Sequence, residues 1–327
     1  MKIIVVSYDD DLHKDHLLRI ADKAGIETVS FDAGGYPNGV DEIGIEYSTA
    51  EPALTLSVSG ESIDAREVAG VWWRRPRGVR GINRNPLEQY MRLEGEVIIQ
   101  SLKEFLPNVN WISGPEATRM ACRKPVQLMV AKRLGMKIPQ TCITNSPEVV
   151  KEFIRRLEGK KLIMKPAGTS FVELSPLGKP GDAPNKVVFT QVVSGELILE
   201  NLEMVKNCPV IFQEAVQKDS DMRVTVVDDQ AFCAEITLEG CSNPNNVDWR
   251  NYDGVRVFKR HELPPDVGNL CVEFTRAMGL RFGCIDMGYS RAEGYTFFEI
   301  NPQGQWLPSE LKLGYPIATA LLKALTR

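Results

Sequence analysis

Histidine is scarce in this 327-residue chain, and no two of its seven cysteines form a C-x-x-C pair. An odd number of thiols without metal-ligand spacing argues for reduced, mostly buried cysteines and against a disulfide framework or a zinc site. With only His13, His16 and His261 available, a serine or cysteine triad has little to build on. No apolar run approaches the roughly 18 residues of a membrane span, and Ile3–Val6 runs into Asp9-Asp10-Asp11, unlike a signal peptide. The expected location is therefore cytoplasmic, with no membrane partner. Basic blocks are missing too: 39 Lys and Arg stand against 43 Asp and Glu, a formal net charge of −4. That balance speaks against nucleic acid as a partner and confines any basic site to a local patch. Neither an internal repeat nor a low-complexity tract is present.

What is there is an ordinary globular composition, 43% apolar and 25% charged, in a chain long enough for two or three lobes that share cores. Residues 2–8 read as a buried strand, 12–24 as an amphipathic helix with Leu12, Ile20, Ala21 and Ala24 inward, and 26–32 as a second strand. The turn inside this βαβ opening is Asp-rich and lacks G-x-G-x-x-G, so no dinucleotide is expected there. His13 and His16 could share a metal on one helix face, but acids ahead of a helix more often cap it. His261, in a polar stretch, is expected to be solvated. Short strands at Gly44–Tyr47 and Leu54–Val58, the unusual segment Val71-Trp72-Trp73-Arg74-Arg75-Pro76 and a helix over 86–105 continue the first lobe.

The pattern changes near Ser113-Gly114-Pro115. Proline is disfavoured inside a helix but welcome in its first turn, so one helix ends near Cys122 and another runs from Pro125 to Gly135, with Lys124 at the junction. A helix over 147–157 and a strand Lys161–Lys165 follow, and the Gly- and Pro-rich stretch from Gly168 to Asn185 reads as a mobile loop. Strands Met222–Val227 and Ala231–Leu238, a polar loop to Asp253, a helix over 265–279, and strands Gly283–Tyr289 and Tyr295–Ile300 complete the chain. Mixing without strict alternation makes the fold α+β, or mixed α/β.

The sharpest local chemistry is the hairpin RFGCIDMGYSRAEGYTFFEIN. A four-residue loop, Arg291-Ala292-Glu293-Gly294, would pair Ser290 with Tyr295 and place Asp286 opposite Glu299, with Asn301 on the same face. Opposed carboxylates require a compensating cation, and an all-oxygen donor set favours magnesium or manganese over zinc. The apolar neighbours Ile285, Phe297, Phe298 and Ile300 argue for a buried hairpin rather than a solvated one. Lys165, at a strand end before Gly168-Thr169-Ser170, could meet phosphate oxygens, and Pro209–Val216 runs into Gln213-Glu214, which could offer acceptors to an adenine amino group. Arg223, between apolar strand neighbours, calls for a buried phosphate or carboxylate partner, and Arg250 lies in a polar loop.

The order Lys124, Lys165, Gln213-Glu214, Asp221-x-Arg223, Asp248-Trp249-Arg250, Asp286, Glu299-x-Asn301 resembles the ATP-grasp superfamily. Val71–Pro76, the run from Phe212 to Val227, and Phe298–Trp306 look most like the ATP-grasp peptide ligases that mature graspetides of the microviridin kind. The resemblance implies an ATP-grasp fold with an N-terminal α/β pre-ATP-grasp domain over 1–114, a central subdomain over 115–207 and a C-terminal subdomain over 208–327. It also implies phosphate contacts from Lys124 and Lys165, adenine contacts from Gln213, Glu214 and the Val216 backbone, and two magnesium ions on Asp286, Glu299 and Asn301. Arg223 and Arg250 would assist phosphoryl transfer. The chain departs from the family's pattern at Pro125 and Pro308, and neither change removes a ligand. The implied chemistry is ATP-dependent activation of Asp or Glu side chains in a ribosomal precursor peptide, leader plus core, giving ester or amide crosslinks, carried out by a homodimer. An intermolecular carboxylate–amine ligase and a non-catalytic nucleotide-binding regulator are the competing readings.

Overall fold

The apolar run Ile3–Val6 can dispense with polar alternation because it becomes the interior strand of a parallel sheet covered on both faces. In the computed structural model, residues 1–37, 41–48, 53–76, 86–157, 159–168, 171–172, 186–187, 190–240 and 254–327 are described. Lys2–Ser7 lies between Glu27–Phe31 and Val68–Arg75, with Asn110–Ile112 at the far edge. The chain leaves Lys2–Ser7 to one side and returns on the other. The carboxyl ends of Lys2–Ser7 and Val68–Arg75 therefore border a switch-point crevice. A small antiparallel sheet, Glu42–Glu46, Ala53–Val58 and Glu61–Ile63, shares a core with Trp73, Trp111 and the helix Pro86–Phe105.

The first helix, Leu12–Lys23, starts where Asp11 accepts the His13 amide at 3.1 Å. Its buried face is His13, Lys14, Leu17 and Ala21. Leu12 and Ala24, expected inward, are exposed, because a histidine and a lysine occupy positions that an apolar count assigns elsewhere. Helices Pro115–Ala121 and Lys124–Arg133 meet at Lys124-Pro125 as expected, with proline in the first turn and Gly135 at φ +83° after the second.

Two antiparallel sheets make the rest. The central one runs Gln191–Val193, Leu162–Pro166, Val210–Glu214, Thr141–Thr144, packed on the helix Pro147–Arg156 through Val150 and Phe153. The other has five strands, Val255–His261, Gln230–Glu239, Ser220–Val227, Phe282–Ser290 and Gly294–Asn301. Its one face, carrying Met222, Val224, Val226, Ile285, Phe297 and Ile300, is covered by Lys124–Arg133 and the helix Pro265–Ala277. The opposite face joins the first lobe in a core that includes Trp72, Ile112, Phe282, Cys284, Trp306 and the last helix, Ile317–Leu325. The architecture is thus the expected mixture of helices and sheets. Of the stretch read as a mobile loop, only Gly168 and Phe171–Val172 are among the described residues.

That last helix comes so close to the first lobe that Gly70 has no room for a side chain: a Cβ there would lie 2.4 Å from the Leu325 carbonyl oxygen. Gly70→Ala is expected to destabilise the protein by about 1–3 kcal/mol, since the obstacle is backbone and must shift. Urea unfolding followed by tryptophan fluorescence measures it.

Candidate active site

The acidic hairpin reaches its expected geometry by an unexpected route. Ser290 pairs with Gly294, not Tyr295, around a three-residue turn, and Tyr289 pairs with Tyr295. The register then shifts between Met287 and Asp286, where Phe298 is the extra residue of a β-bulge. One offset cancels the other. Asp286 stands opposite Glu299, and Cys284 opposite Asn301. The bulge also frees Phe298 from the alternation of its strand: Phe297 is buried in the core, whereas Phe298 borders the same cleft as Glu299.

That cleft lies between the central and five-stranded sheets. Lys165, Gln213, Glu214, Val216, Asp286 and Glu299 all line it, together with Ile163 and Phe298. Lys165 projects from Leu162–Pro166 and is buried. Lys124, in the first turn of its helix, stands at the mouth, its Nζ 3.8 Å from Glu299 Oε2 and 3.4 Å from the Gly168 carbonyl oxygen. Between the two sheets the chain crosses as a linker whose first residues, Ala215 and Val216, border the cleft; the Ala215 amide donates to the Lys161 carbonyl at 2.8 Å. Gln213 is fully buried, donating from Nε2 to Thr141 Oγ1 at 2.8 Å while its Oε1 has no partner among the described residues. The Glu214 carboxylate accepts from the Gln140 amide and from Lys160, each at 3.1 Å, so its side chain braces the linker.

Arg223 finds the buried carboxylate its strand position called for: Nη1 donates to Asp286 Oδ1 at 2.8 Å, and Nη2 to the Gln305 carbonyl at 3.1 Å. Asn301 ends the last strand, its Oδ1 accepting the Gln303 amide at 2.9 Å. Arg250 lies outside the described residues. Among those described, no group of three or more His, Cys, Asp and Glu could hold a metal. The candidate metal set is therefore two carboxylates and a carboxamide, a fit to magnesium, which commonly takes one or two carboxylates and completes its shell with phosphate and water oxygens.

Composition and spacing did not reveal the neighbour of this site. Arg74, wholly buried, donates from Nε to Asp11 Oδ2 at 3.2 Å and from Nη1 to the carbonyls of Gln303 and Gly304 at 2.6 and 2.9 Å. Arg75 adds a bond from Nε to the same Gln303 carbonyl at 3.1 Å. The unusual segment Val71–Pro76 thus grips the turn that follows Asn301. The available signal was a charge at the end of an apolar strand, Val71-Trp72-Trp73, which demands a carboxylate from elsewhere. Burial pulls Arg74 down to about 10 against the opposing pull of Asp11. Burial would raise Asp11, but Arg74 and the Ser7 hydroxyl outweigh it and hold the carboxyl below its usual range. His13 and His16, the pair that could share a metal, have separate partners: His13 Nδ1 accepts the Leu307 amide at 3.3 Å, and His16 pairs with Glu310 at 2.8 Å. Nor is His261 merely solvated, since it bonds the Tyr295 hydroxyl at 2.7 Å.

The pattern of the RimK-like ATP-grasp domain matches residues 122–325. The chain belongs to the RimK-like ATP-grasp family. No curated protein matches it. Among solved structures, this RimK-like ATP-grasp chain is similar to the macrocyclase MdnC of Microcystis aeruginosa bound with the precursor peptide MdnA. That likeness has 27% identity, a TM-score of 0.82 and coverage of 99% of this chain and 98% of that one. The Chryseobacterium gregarium RiPP-associated ATP-grasp ligase, in complex with ADP and a leader and core peptide, is similar at 25% identity and TM-score 0.81, covering 99% and 96%. The ATP-grasp ligase PsnB, complexed with a phosphomimetic precursor variant, Mg and ADP, shares the fold at 22% identity and TM-score 0.73, covering 99% and 98%. No described helix is long and apolar enough to cross a membrane. Both departures from the family's pattern, Pro125 and Pro308, sit in first turns of helices, where proline costs no hydrogen bond.

A pH dependence follows from the arginine cluster. Burial, then Arg74, with Arg75 and Arg223 adding and Asp11 opposing, pushes His13 down to about 3 from an ordinary 6.5. The unfolded chain therefore binds the extra proton between those values, so His13's contribution is fully present above about pH 6.5 and is lost progressively as pH falls toward 3. His13→Asn, which keeps an acceptor for the Leu307 amide, is expected to flatten the fall in Tm between pH 6.5 and 4. Thermal unfolding by circular dichroism across that range checks it.

Proposed function

We propose that this chain is an ATP-dependent peptide macrocyclase. It activates Asp or Glu side-chain carboxylates of a ribosomal precursor peptide and closes them onto a hydroxyl or an amine of the same peptide, as ester or amide crosslinks. One observation carries the reading: a single cleft holds a buried cation, Lys165, the opposed carboxylates Asp286 and Glu299, and the strand end and linker Gln213–Val216. Such a set fits a nucleoside triphosphate with its metal. Ile163, Val216 and Phe298 offer apolar surface to a purine, and the backbone of Gln213–Val216 offers acceptors to its amino group. Lys124 and Lys165 are assigned to the phosphates, and Asp286, Glu299 and Asn301 to two magnesium ions, which when bound neutralise charge on the transferring phosphoryl group.

A peptide carboxylate oxygen forms the new bond to the γ-phosphorus as the bond to the β–γ bridging oxygen breaks, and ADP leaves with that electron pair. The hydroxyl or amine then adds to the acyl carbon, loses its proton and expels phosphate. Arg223, held beside Asp286, and Arg250 are the cations assigned to the phosphoryl group and the acyl oxyanion. The protein supplies position and charge rather than a nucleophile, in keeping with its lack of a triad. The likeness to MdnC and to the Chryseobacterium ligase, both seen with peptides, supports a precursor peptide as substrate. A cytoplasmic homodimer belongs to the same proposal.

The test is the intact mass of a precursor peptide encoded beside this chain, after incubation with protein, ATP and magnesium. Loss of one water per bond is expected; a mass gain would instead mean intermolecular ligation and overturn the macrocyclase reading. Lys165→Met and Glu299→Gln are each expected to slow turnover by about 10²–10³-fold. Unchanged turnover in Glu299→Gln would sink the metal assignment.

A further inference from the structure

The candidate metal ligand Asn301 is held through a turn that the first lobe grips. Within the turn, the Gln303 amide fixes Asn301 Oδ1 at 2.9 Å, and the Gly304 amide donates to the Asn301 carbonyl at 3.1 Å. A carboxamide oxygen has two lone pairs, so the Gln303 bond sets the direction of the other without using it up. The outward carbonyls of the same turn are held by three arginines. Gln303 O accepts from Arg74 Nη1 at 2.6 Å and Arg75 Nε at 3.1 Å, Gly304 O from Arg74 Nη1 at 2.9 Å, and Gln305 O from Arg223 Nη2 at 3.1 Å. Arg223 also holds Asp286 at 2.8 Å. The turn is pressed in so tightly that a Cβ on Gly304 would lie 2.3 Å from Cys284 Cβ and 2.9 Å from Arg223 Nη2. It has no slack with which to re-aim Asn301 once its anchors change.

We propose that Arg74 and Arg75 of the first lobe are positioning residues for the magnesium site, acting through the turn Pro302–Gln305 on Asn301. The proposal rests on the reading of Asp286, Glu299 and Asn301 as metal ligands. Arg74 is the fixed anchor, oriented from behind by Asp11, whose Oδ2 also accepts the Ser7 hydroxyl at 2.7 Å. Arg75 is the outer anchor, half-buried, with Nε on Gln303. A lobe that contributes none of the assigned nucleotide contacts thereby sets the aim of one metal ligand. Groups that orient metal ligands typically change metal affinity by 10–100-fold when removed.

The experiment is isothermal titration of the full chain with ADP over a series of magnesium concentrations, which reads the magnesium midpoint separately from metal-free nucleotide affinity. Arg74→Lys cannot bridge Asp11 and two carbonyls at once, and is expected to raise the midpoint about tenfold or more while metal-free ADP affinity stays within about twofold. Arg75→Met, at a position that folding tolerates better, is expected to raise it in the same direction. Arg75→Lys, which keeps a donor for Gln303, is expected to restore part of the loss. Gly70→Ala, at the other end of the same strand, is the control: it lowers stability and is expected to leave the midpoint unchanged. Wild-type midpoints in both Arg74→Lys and Arg75→Met overturn the proposal; if Arg74→Lys does not fold, Arg75→Met alone decides. ADP binding by the wild type that ignores magnesium overturns the metal reading itself, and this inference with it.

Discussion

A guanidinium with no exposed surface needs buried acceptors, and Arg74 draws them from two distant parts of the chain, its Nη2 alone having no partner among the described residues. Asp11 follows the first strand, Arg74 ends Val68–Arg75, and Gln303 and Gly304 follow the last strand of the five-stranded sheet. Any other arrangement of the lobes would strand a desolvated charge, at a cost of several kcal/mol. The interaction thus selects one relative placement of the lobes more than it adds net stability. The cleft inherits that placement, since the same turn is tied to Asp286 through Arg223.

Within the cleft, the pleat of a β-sheet imposes a difficulty. Strict alternation would send Phe298 to the face opposite Glu299, yet both border the site. The bulge resolves this at the one place where it leaves Asp286 opposite Glu299 and keeps Phe297 in the core. Arg223 across the sheet then supplies the positive charge that lets the pair of acids sit on one face. An apolar wall, opposed carboxylates and a compensating cation come from three adjacent strands without a long loop.

The hairpin, the helix junction at Lys124-Pro125 and the alternation of Met222–Val227 were legible because each is a local pattern with a local cause. The register of the hairpin was legible only in outcome: the turn is one residue shorter than the spacing implied, and the bulge restores the count. His13 and Lys14 defeated the helix reading for a different reason. The burial of His13 is dictated by Trp306 and Leu307, nearly three hundred residues away, and no window along the chain contains that information. The same holds for Arg74, whose need for a partner could be read although the identity of Asp11 could not. Glu214 shows the converse case, a residue in the expected place whose carboxylate is occupied by Gln140 and Lys160.

The last helix has a bearing on how the chain is made. Ile317, Leu321 and Leu325 complete the core around Trp72 and Ile112, and Asn110 bonds the carbonyl of Arg327. During synthesis the first lobe therefore emerges with an open apolar wall that the five-stranded sheet and the helix Ile317–Leu325 close later. Until those elements are made it must wait incomplete, and exposed surface of that kind invites either chaperones or aggregation. The same lobe cut free at its boundary would carry that wall permanently.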